Sequence, residues 1–259
     1  MRRRLLVPAL LALALLIGAG VARGELSQSG DLRISFSGGF SPRSLPRDRL
    51  APITVHVKGS IGTTDGSVPP SLQRVEIALN SSGRLSTVGL PACTSALLQS
   101  TTTETALERC HQALVGRGSF ALSVNFPSGS PAPAKGTMLA FNGLYDGKPA
   151  LLLHFFATVP VRVTLVFPLT ISRRGKGQFG TVLRADIPAV GGGVGAVTEI
   201  DLKIGREYTY RGRRRSYLSA SCAAPAGFPG AVFPLARGSF HFVDGRTLQT
   251  TLTSDCSVR

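Results

Sequence analysis

Two-residue alternation of apolar and polar side chains constrains this chain more than any other feature. Leu32, Ile34 and Phe36 alternate with Arg33, Ser35 and Ser37, and Ile53, Val55 and Val57 alternate with Thr54, His56 and Lys58. Val75, Ile77 and Leu79 repeat the pattern. Successive side chains of a strand point to opposite faces, so each run predicts a strand with one face to bury. Further strand runs lie at 120–124, 138–141, 150–156, 161–171, 181–187, 197–204, 208–211, 217–222, 239–243 and 247–253. Asp146-Gly147 and Asp244-Gly245 separate apolar runs, and both residue types tolerate positive φ, so each predicts a hairpin turn. The run at 161–171 is apolar on both parities and is expected inside the sheet packing, with Pro168 marking a bulge or an edge. About a dozen short strands of this kind predict a mainly β protein, an antiparallel β-sandwich or open barrel.

One short helical insertion interrupts the strands. Thr101 and Glu104 have capping-box spacing, Leu107, Cys110 and Leu114 fall on one helical face, and Gly116 and Gly118 are expected to stop the helix. Cys93 would staple this helix to its own approach segment. Residues 127–134 (Pro127-Ser128-Gly129-Ser130-Pro131-Ala132-Pro133-Ala134) are the best linker candidate, so the domain over 25–259 has a possible subdivision near 127–135.

Residues 1–24 look like a signal peptide. Arg2, Arg3 and Arg4 precede an apolar run over 5–21, and small residues at Gly20, Ala22 and Gly24 suit cleavage. Four cysteines in an exported chain favour two disulfides. Three pairings are open, and the local ones are favoured: Cys93 with Cys110, 17 residues apart, and Cys222 with Cys256, 34 apart. Loops of these lengths contribute about 3 and just under 4 kcal/mol in the chain-entropy treatment. No Cys-x₂-Cys or His-x₃-His spacing calls for a metal, and no cofactor is expected.

The 259 residues include 29 Lys+Arg against 14 Asp+Glu, a net charge of +15. Loss of Arg2, Arg3, Arg4 and Arg23 with the leader leaves 25 basic residues and +11. Arg far outnumbers Lys, as a GC-rich coding sequence produces, so the bias is weak evidence for recognition. With 43% hydrophobic residues the chain can bury a core, which excludes a disordered basic tail.

Few residues point to catalysis. Gly175, Gly177 and Gly180 match Gly-x-Gly-x-x-Gly, but Thr181-Val182-Leu183 after them reads as strand, where a dinucleotide site needs a helix. There is no Gly-x-Ser-x-Gly elbow, and His56, His111, His154 and His241 are scattered. The one notable carboxylate pair is Glu199 and Asp201, on one strand face about 7 Å apart along the backbone. That spacing loosely suits a hydrolase, but Lys203 continues the face, as on a solvated strand.

The stronger candidate is a basic stretch containing Lys203, Arg206, Arg211, Arg213, Arg214 and Arg215 against Glu207, interleaved with Tyr208, Tyr210 and Tyr217. In an extended segment Arg206, Tyr208 and Tyr210 share a face. Arg with Tyr suits anionic or sugar-bearing ligands through charge-assisted hydrogen bonds and ring stacking. The bland alternative is a solvated hairpin whose rings cover the core edge. Export and the lack of a recognition motif argue against nucleic acid.

Leu90-Pro91-Ala92-Cys93, Ala113-Leu114-Val115-Gly116, Ser219-Ala220-Ser221-Cys222 and Asp255-Cys256 together resemble a pattern in uncharacterised exported, disulfide-bonded all-β proteins of high-GC bacteria. The resemblance implies an exported β protein and supplies no activity. The expected function is therefore non-catalytic binding or structure, secreted or at the cell envelope. An anionic envelope polymer or membrane surface is the expected partner and a secreted hydrolase the alternative; no protein partner is indicated.

Overall fold

The computed structural model describes residues 25–124, 131–160, 162–188 and 195–259. The leader over 1–24, residues 127–130 of the linker candidate and glycines 191–193 lie outside the described residues.

The chain opens with β1 (Glu25–Ser29), β2 (Leu32–Ser41), β3 (Ser44–Leu45), β4 (Ala51–Pro52), β5 (Thr54–Thr63), β6 (Leu72–Asn80), β7 (Gly83–Leu85) and β8 (Cys93–Thr94). Two helices follow, α1 (Ser95–Leu98) and α2 (Thr103–Cys110), and then a 3₁₀ turn at His111–Ala113. The centre comprises β9 (Leu114–Val124), β10 (Ala132–Tyr145), β11 (Lys148–Ala157), β12 (Val163–Arg173), β13 (Phe179–Asp186) and β14 (Gly195–Ile204). The last strands are β15 (Glu207–Tyr210), β16 (Arg213–Ser216), β17 (Leu218–Ala220), β18 (Gly230–Phe242) and β19 (Thr247–Val258).

Most strands join one curled, largely antiparallel sheet, in the order β1-β2-β5-β14-β9-β10-β11-β12-β13-β6-β18-β19-β3. This is the open-barrel form of the expected all-β fold. Ala132, Pro133 and Ala134 of the linker candidate are not linker: they begin β10 and pair with Val124, Ser123 and Leu122 of β9, so the sheet is continuous across the expected subdivision. The curl brings the ends of the sheet together, with β19 against β1 and β2. At this seam the Glu25 carboxylate accepts from the Thr251 amide. Arg246 donates to Asp31 and Asp244 at 2.6 Å each, tying the turn after β1 to the turn before β19.

The concave face carries the main core. Phe120, Phe155 and Phe167 form an edge-to-face series with centroids 5.0 and 5.3 Å apart. At the seam, Phe36 meets Phe240 at 6.3 Å, and Leu32, Ile34 and Leu252 are buried around them. A small sheet of β4, β17 and β7 covers one end and buries Leu85, Leu218 and Ala220. The disulfide Cys222–Cys256 links the exit of this small sheet to β19.

The helical insertion lies on the convex face of β10–β12. Leu98, Ala106 and Cys110 pack on Leu139, Phe141 and Leu152, and Cys93–Cys110 ties the helices to β8. β12 makes apolar contacts on both faces, Val166 with the helical cluster and Phe167 with the main core, in line with its double apolar parity. Pro168 pairs with Leu152 but lies outside the β12–β13 ladder, which runs only over Thr170–Arg173; it occupies a local edge where no amide is needed.

Two helix signals differ from expectation. The N-cap of α2 is Thr102, whose hydroxyl accepts from the Thr105 amide. Thr101 instead turns inward, donating to Leu98 O at 2.6 Å and contacting His154 Nε2 at 3.0 Å. Leu114, expected on the helical face, instead begins β9, and Gly116 and Gly118 stop nothing, since both lie within that strand. A Cβ at Gly118 would collide with the Asp201 carbonyl, so glycine there permits close approach of β14.

His154 fixes the insertion to the sheet. Because the Thr101 hydroxyl proton is directed to Leu98, His154 Nε2–H is the donor, and Nδ1 is buried without a hydrogen-bond partner among the described residues. Burial holds the imidazole pKa below its ordinary value. The unfolded chain then binds the proton more readily, so this residue's contribution to stability is present above an unfolded pKa of about 6.5 and is lost as pH falls below it. Urea unfolding at pH 7.5 and 5.5 should show a larger acid-side loss for the natural protein than for His154→Gln; equal losses would contradict the assignment. In the same assay Phe155→Ala should cost about 3–5 kcal/mol, because the Phe120 and Phe167 rings cannot collapse onto the gap.

Candidate functional site

The basic stretch folds as a hairpin apart from the main sheet. β15 pairs with β16, placing Tyr208 opposite Arg215 and Tyr210 opposite Arg213. Arg211 and Gly212 form its two-residue turn with φ of 50° and 71°, both left-handed, as a twisted hairpin of this length requires. Tyr208 and Tyr210 lie on the half-buried face and anchor the hairpin to residues 87–90. The Tyr208 hydroxyl donates to Val88 O at 2.7 Å. The Tyr210 ring sits against Gly89, at φ 77°, where a Cβ would run into the ring.

The expected shared face of Arg206, Tyr208 and Tyr210 is therefore turned toward the protein. Arg206 donates to the carbonyls of Gln112 and Leu114 at 2.7 and 2.8 Å, a structural tie to the end of the helical insertion. Tyr217 is corrected more fully. It is completely buried in the main core, its hydroxyl has no hydrogen-bond partner among the described residues, and burial raises its pKa. The chain enters the covered end of the sheet at that residue, so Tyr217 belongs to the core and to no binding surface.

Arg211, Arg213, Arg214 and Arg215 remain exposed. Arg211 and Arg215 lie over the Tyr210 ring, 5.2 and 6.0 Å from its centroid, and Arg214 pairs with Glu207 at 3.0 Å. Beside the hairpin is an open groove of about 710 Å³, with Arg84, Arg214, Arg215 and Arg259 on its walls and Leu50, Pro52 and Val88 among its apolar lining. Among the described residues Arg84, Arg215 and Arg259 form no ion pair, so three guanidinium groups face one concavity with their charge uncommitted. Such groups suit phosphate or carboxylate oxygens through charge-assisted, bidentate hydrogen bonds. Arg84 and Arg259 have no counterpart in the sequence reading: β7 pairs with β17, and β19 passes beside the small sheet, so three distant segments converge.

Glu199 and Asp201 lie elsewhere, on the polar convex face of β14. With Lys58, Ser60, Ser119 and Lys135 they line a shallow groove of about 390 Å³. Asp201 contacts His56 at 2.6 Å and Lys58 at 3.1 Å. The His56 hydrogen bond, assisted by Lys58, holds its carboxyl below the ordinary range. This carboxylate is set to stay ionised, whereas a general acid needs a raised pKa. Among the described residues no group of three or more His, Cys, Asp or Glu could hold a metal ion, and no helix is long and apolar enough to cross a membrane.

Comparison with family models, curated proteins and solved structures finds no match to the chain.

The hairpin's position depends on Gly89. Gly89→Ala should displace the Tyr210 ring and loosen the hairpin, and trypsin should cut after Arg211 or Arg213 several-fold faster than in the natural protein. Unchanged cleavage would show that the ring contact does not hold the hairpin.

Proposed function

We propose that this chain is an exported, non-catalytic binding protein of the cell envelope or its exterior. Its groove beside the β15–β16 hairpin would take anionic polymer segments. The observation that carries this reading is the convergence of Arg84, Arg215 and Arg259, free of ion pairs among the described residues, with Arg214 at the same groove. Groups already paired with carboxylates, as Arg214 is with Glu207 in the same lining, would have to give up a partner to bind; Arg84, Arg215 and Arg259 do not. The rings of Tyr208 and Tyr210 hold the hairpin in place beforehand, which lowers the ordering cost of binding.

Two disulfides are compatible with an extracytoplasmic location, and the leader-like residues 1–24 support export. The resemblance to exported all-β proteins of high-GC bacteria agrees with it. An anionic polymer is preferred to nucleic acid because export separates the groove from that partner. The ionised Asp201, committed to His56 and Lys58, gives the hydrolase alternative no support.

Retention on isolated cell envelope and on immobilised polyphosphate should fall with salt, since exposed charges are screened over about 8 Å at physiological ionic strength. Arg84→Ser, Arg214→Ser and Arg215→Ser combined should lower retention at least tenfold. Arg33→Ser with Arg117→Ser, on the convex face, should change it less than twofold. Equal loss in the two variants would reduce the interaction to net charge and overturn the groove.

A further inference from the structure

The two ends of the curled sheet differ in charge. Strand direction alternates along an antiparallel sheet, so the segments that join the strands sort to one end or the other. At the end away from the small β4-β17-β7 sheet, the charged residues among the described joining segments are Asp31, Asp65, Arg162, Asp244 and Arg246. Carboxylates outnumber arginines there, and Arg246 is committed to Asp31 and Asp244. The covered end is the reverse. It gathers the segments after β2, β6, β10, β12 and β14 and the end of β19. Arg49, Arg84, Arg174, Lys176, Arg215 and Arg259 are all exposed there, and none forms an ion pair among the described residues. Outside the helical insertion the acids of these segments are Asp48, Asp146 and Glu207, and Arg214 holds Glu207.

The same end displays apolar side chains. Leu50 and Val88 are exposed in the arginine groove, and Leu144 and Tyr145 are exposed where β10 reaches the Asp146-Gly147 turn. Phe228, 61% exposed, stands on the loop between β17 and β18. That loop is tied on both sides. The Arg47 guanidinium donates to the carbonyls of Ala224, Pro225 and Phe228, Cys222 is bonded to Cys256, and Pro229 O accepts from the Val258 amide at 2.7 Å. The ties lead into the groove wall, where Leu50 follows Arg47 and Arg259 follows Val258. A loop so constrained has little freedom to fold the Phe228 ring back out of water. One exposed apolar residue is ordinary on a protein surface. Aromatic and aliphatic groups interspersed with free cations around one rim are what the interface of an anionic bilayer attracts.

We propose that the covered end seats the protein end-on upon an anionic lipid bilayer, with Phe228 and Tyr145 entering the headgroup layer and the free arginines meeting lipid phosphates. The inference rests on the reading of the groove arginines as anion-binding and adds the apolar rim to it. A polymer segment lying in the groove would leave Phe228 and Tyr145 in water, since neither lines it. The rim is supplied by segments spaced around the whole sheet, so its partner must be broad. A bilayer meets that demand, because it offers phosphate above hydrocarbon over any footprint. Guanidinium groups suit the phosphates through charge-assisted hydrogen bonds, and aromatic rings settle at headgroup depth. The opposite end, where carboxylates predominate, is repelled by the same surface, and this sets the orientation.

The disulfide-intact protein should co-sediment with vesicles of equal parts phosphatidylglycerol and phosphatidylcholine, and not with vesicles of phosphatidylcholine alone. The chain contains no Trp, so Phe228→Trp and Val243→Trp each place a single emitter, at the covered and the opposite end respectively. On vesicles with brominated acyl chains the first should be quenched at least twofold and the second unchanged. Phe228→Ser combined with Tyr145→Ser should weaken vesicle binding at least fivefold and leave polyphosphate retention within twofold. Each variant is checked for a cooperative thermal transition. Should any fail to fold, amide exchange of the natural protein on the same vesicles should slow at 226–228 and 174–178 and not at 64–66. The proposal is overturned by equal binding to both vesicle types or to neither, by equal or absent quenching at the two ends, by unchanged vesicle affinity in the folded Ser variant, or by exchange that does not slow at the covered end. Polyphosphate retention without vesicle binding would sink the bilayer and leave the groove; vesicle binding without polyphosphate retention would keep the bilayer and sink the polymer reading.

Discussion

A sheet this long with one apolar face has no second sheet of comparable size to pack on, so it must bury that face against itself. The curl of the chain answers this constraint, and the other parts of the structure follow from it. Twisted strands accumulate curvature until β19 meets β1 and β2, and the seam is then held by side chains: Glu25 reaches the Thr251 amide, and Arg246 bridges Asp31 and Asp244. The ladder does not continue across the seam among the described residues, so apolar contact between Phe36, Phe240 and Leu252 carries the closure. The small β4-β17-β7 sheet covers one end, and the helices shield the convex patch where β10–β12 present a second apolar surface.

This architecture sets where binding surfaces can arise. The convex faces of β2, β5, β14 and β9 are polar and internally paired, as Asp201 with His56 and Lys58 illustrates. Uncommitted charge gathers at the covered end, where a hairpin too short to join the main sheet leans on residues 87–90 through two tyrosines. The disulfides tie the helical insertion to β8 and the segment after β17 to β19. The scaffold thereby holds an arginine groove outside the sheet and its main apolar core inside.

How much of this was legible depends on whether a feature is decided locally. Alternation along β2, β5 and β6 was readable because each strand has one polar face. Asp146-Gly147 was readable because both residues adopt φ of 49° and 70° at little cost. The turn at Arg211-Gly212 has the same left-handed geometry but carries Arg where Asn or Asp would advertise it, so the sequence offers the hairpin only as an alternative and β16 lies outside the expected strand runs. The favoured local cysteine pairs are the ones formed. The fate of Thr101 and Thr102 turned on a buried histidine 53 residues downstream, and that of Gly118 on the approach of β14. Tyr217 and Arg206 look like their neighbours in composition, and only the chain's entry into the core separates them from Arg213–Ser216. Arg84 and Arg259 carried no local signal, because the groove exists only once β7, β16 and the end of β19 are side by side.

The claim on which the functional account rests is that one groove, rather than diffuse positive charge, receives the anion. Titration of ¹⁵N-labelled protein with short polyphosphate, followed through the arginine Nε–H resonances, tests it most directly. The account predicts saturating shifts for Arg84, Arg214, Arg215 and Arg259 with a common Kd, while Arg33, Arg117 and Arg237 stay in place. Small, non-saturating shifts of similar size across all the exposed arginines would contradict it.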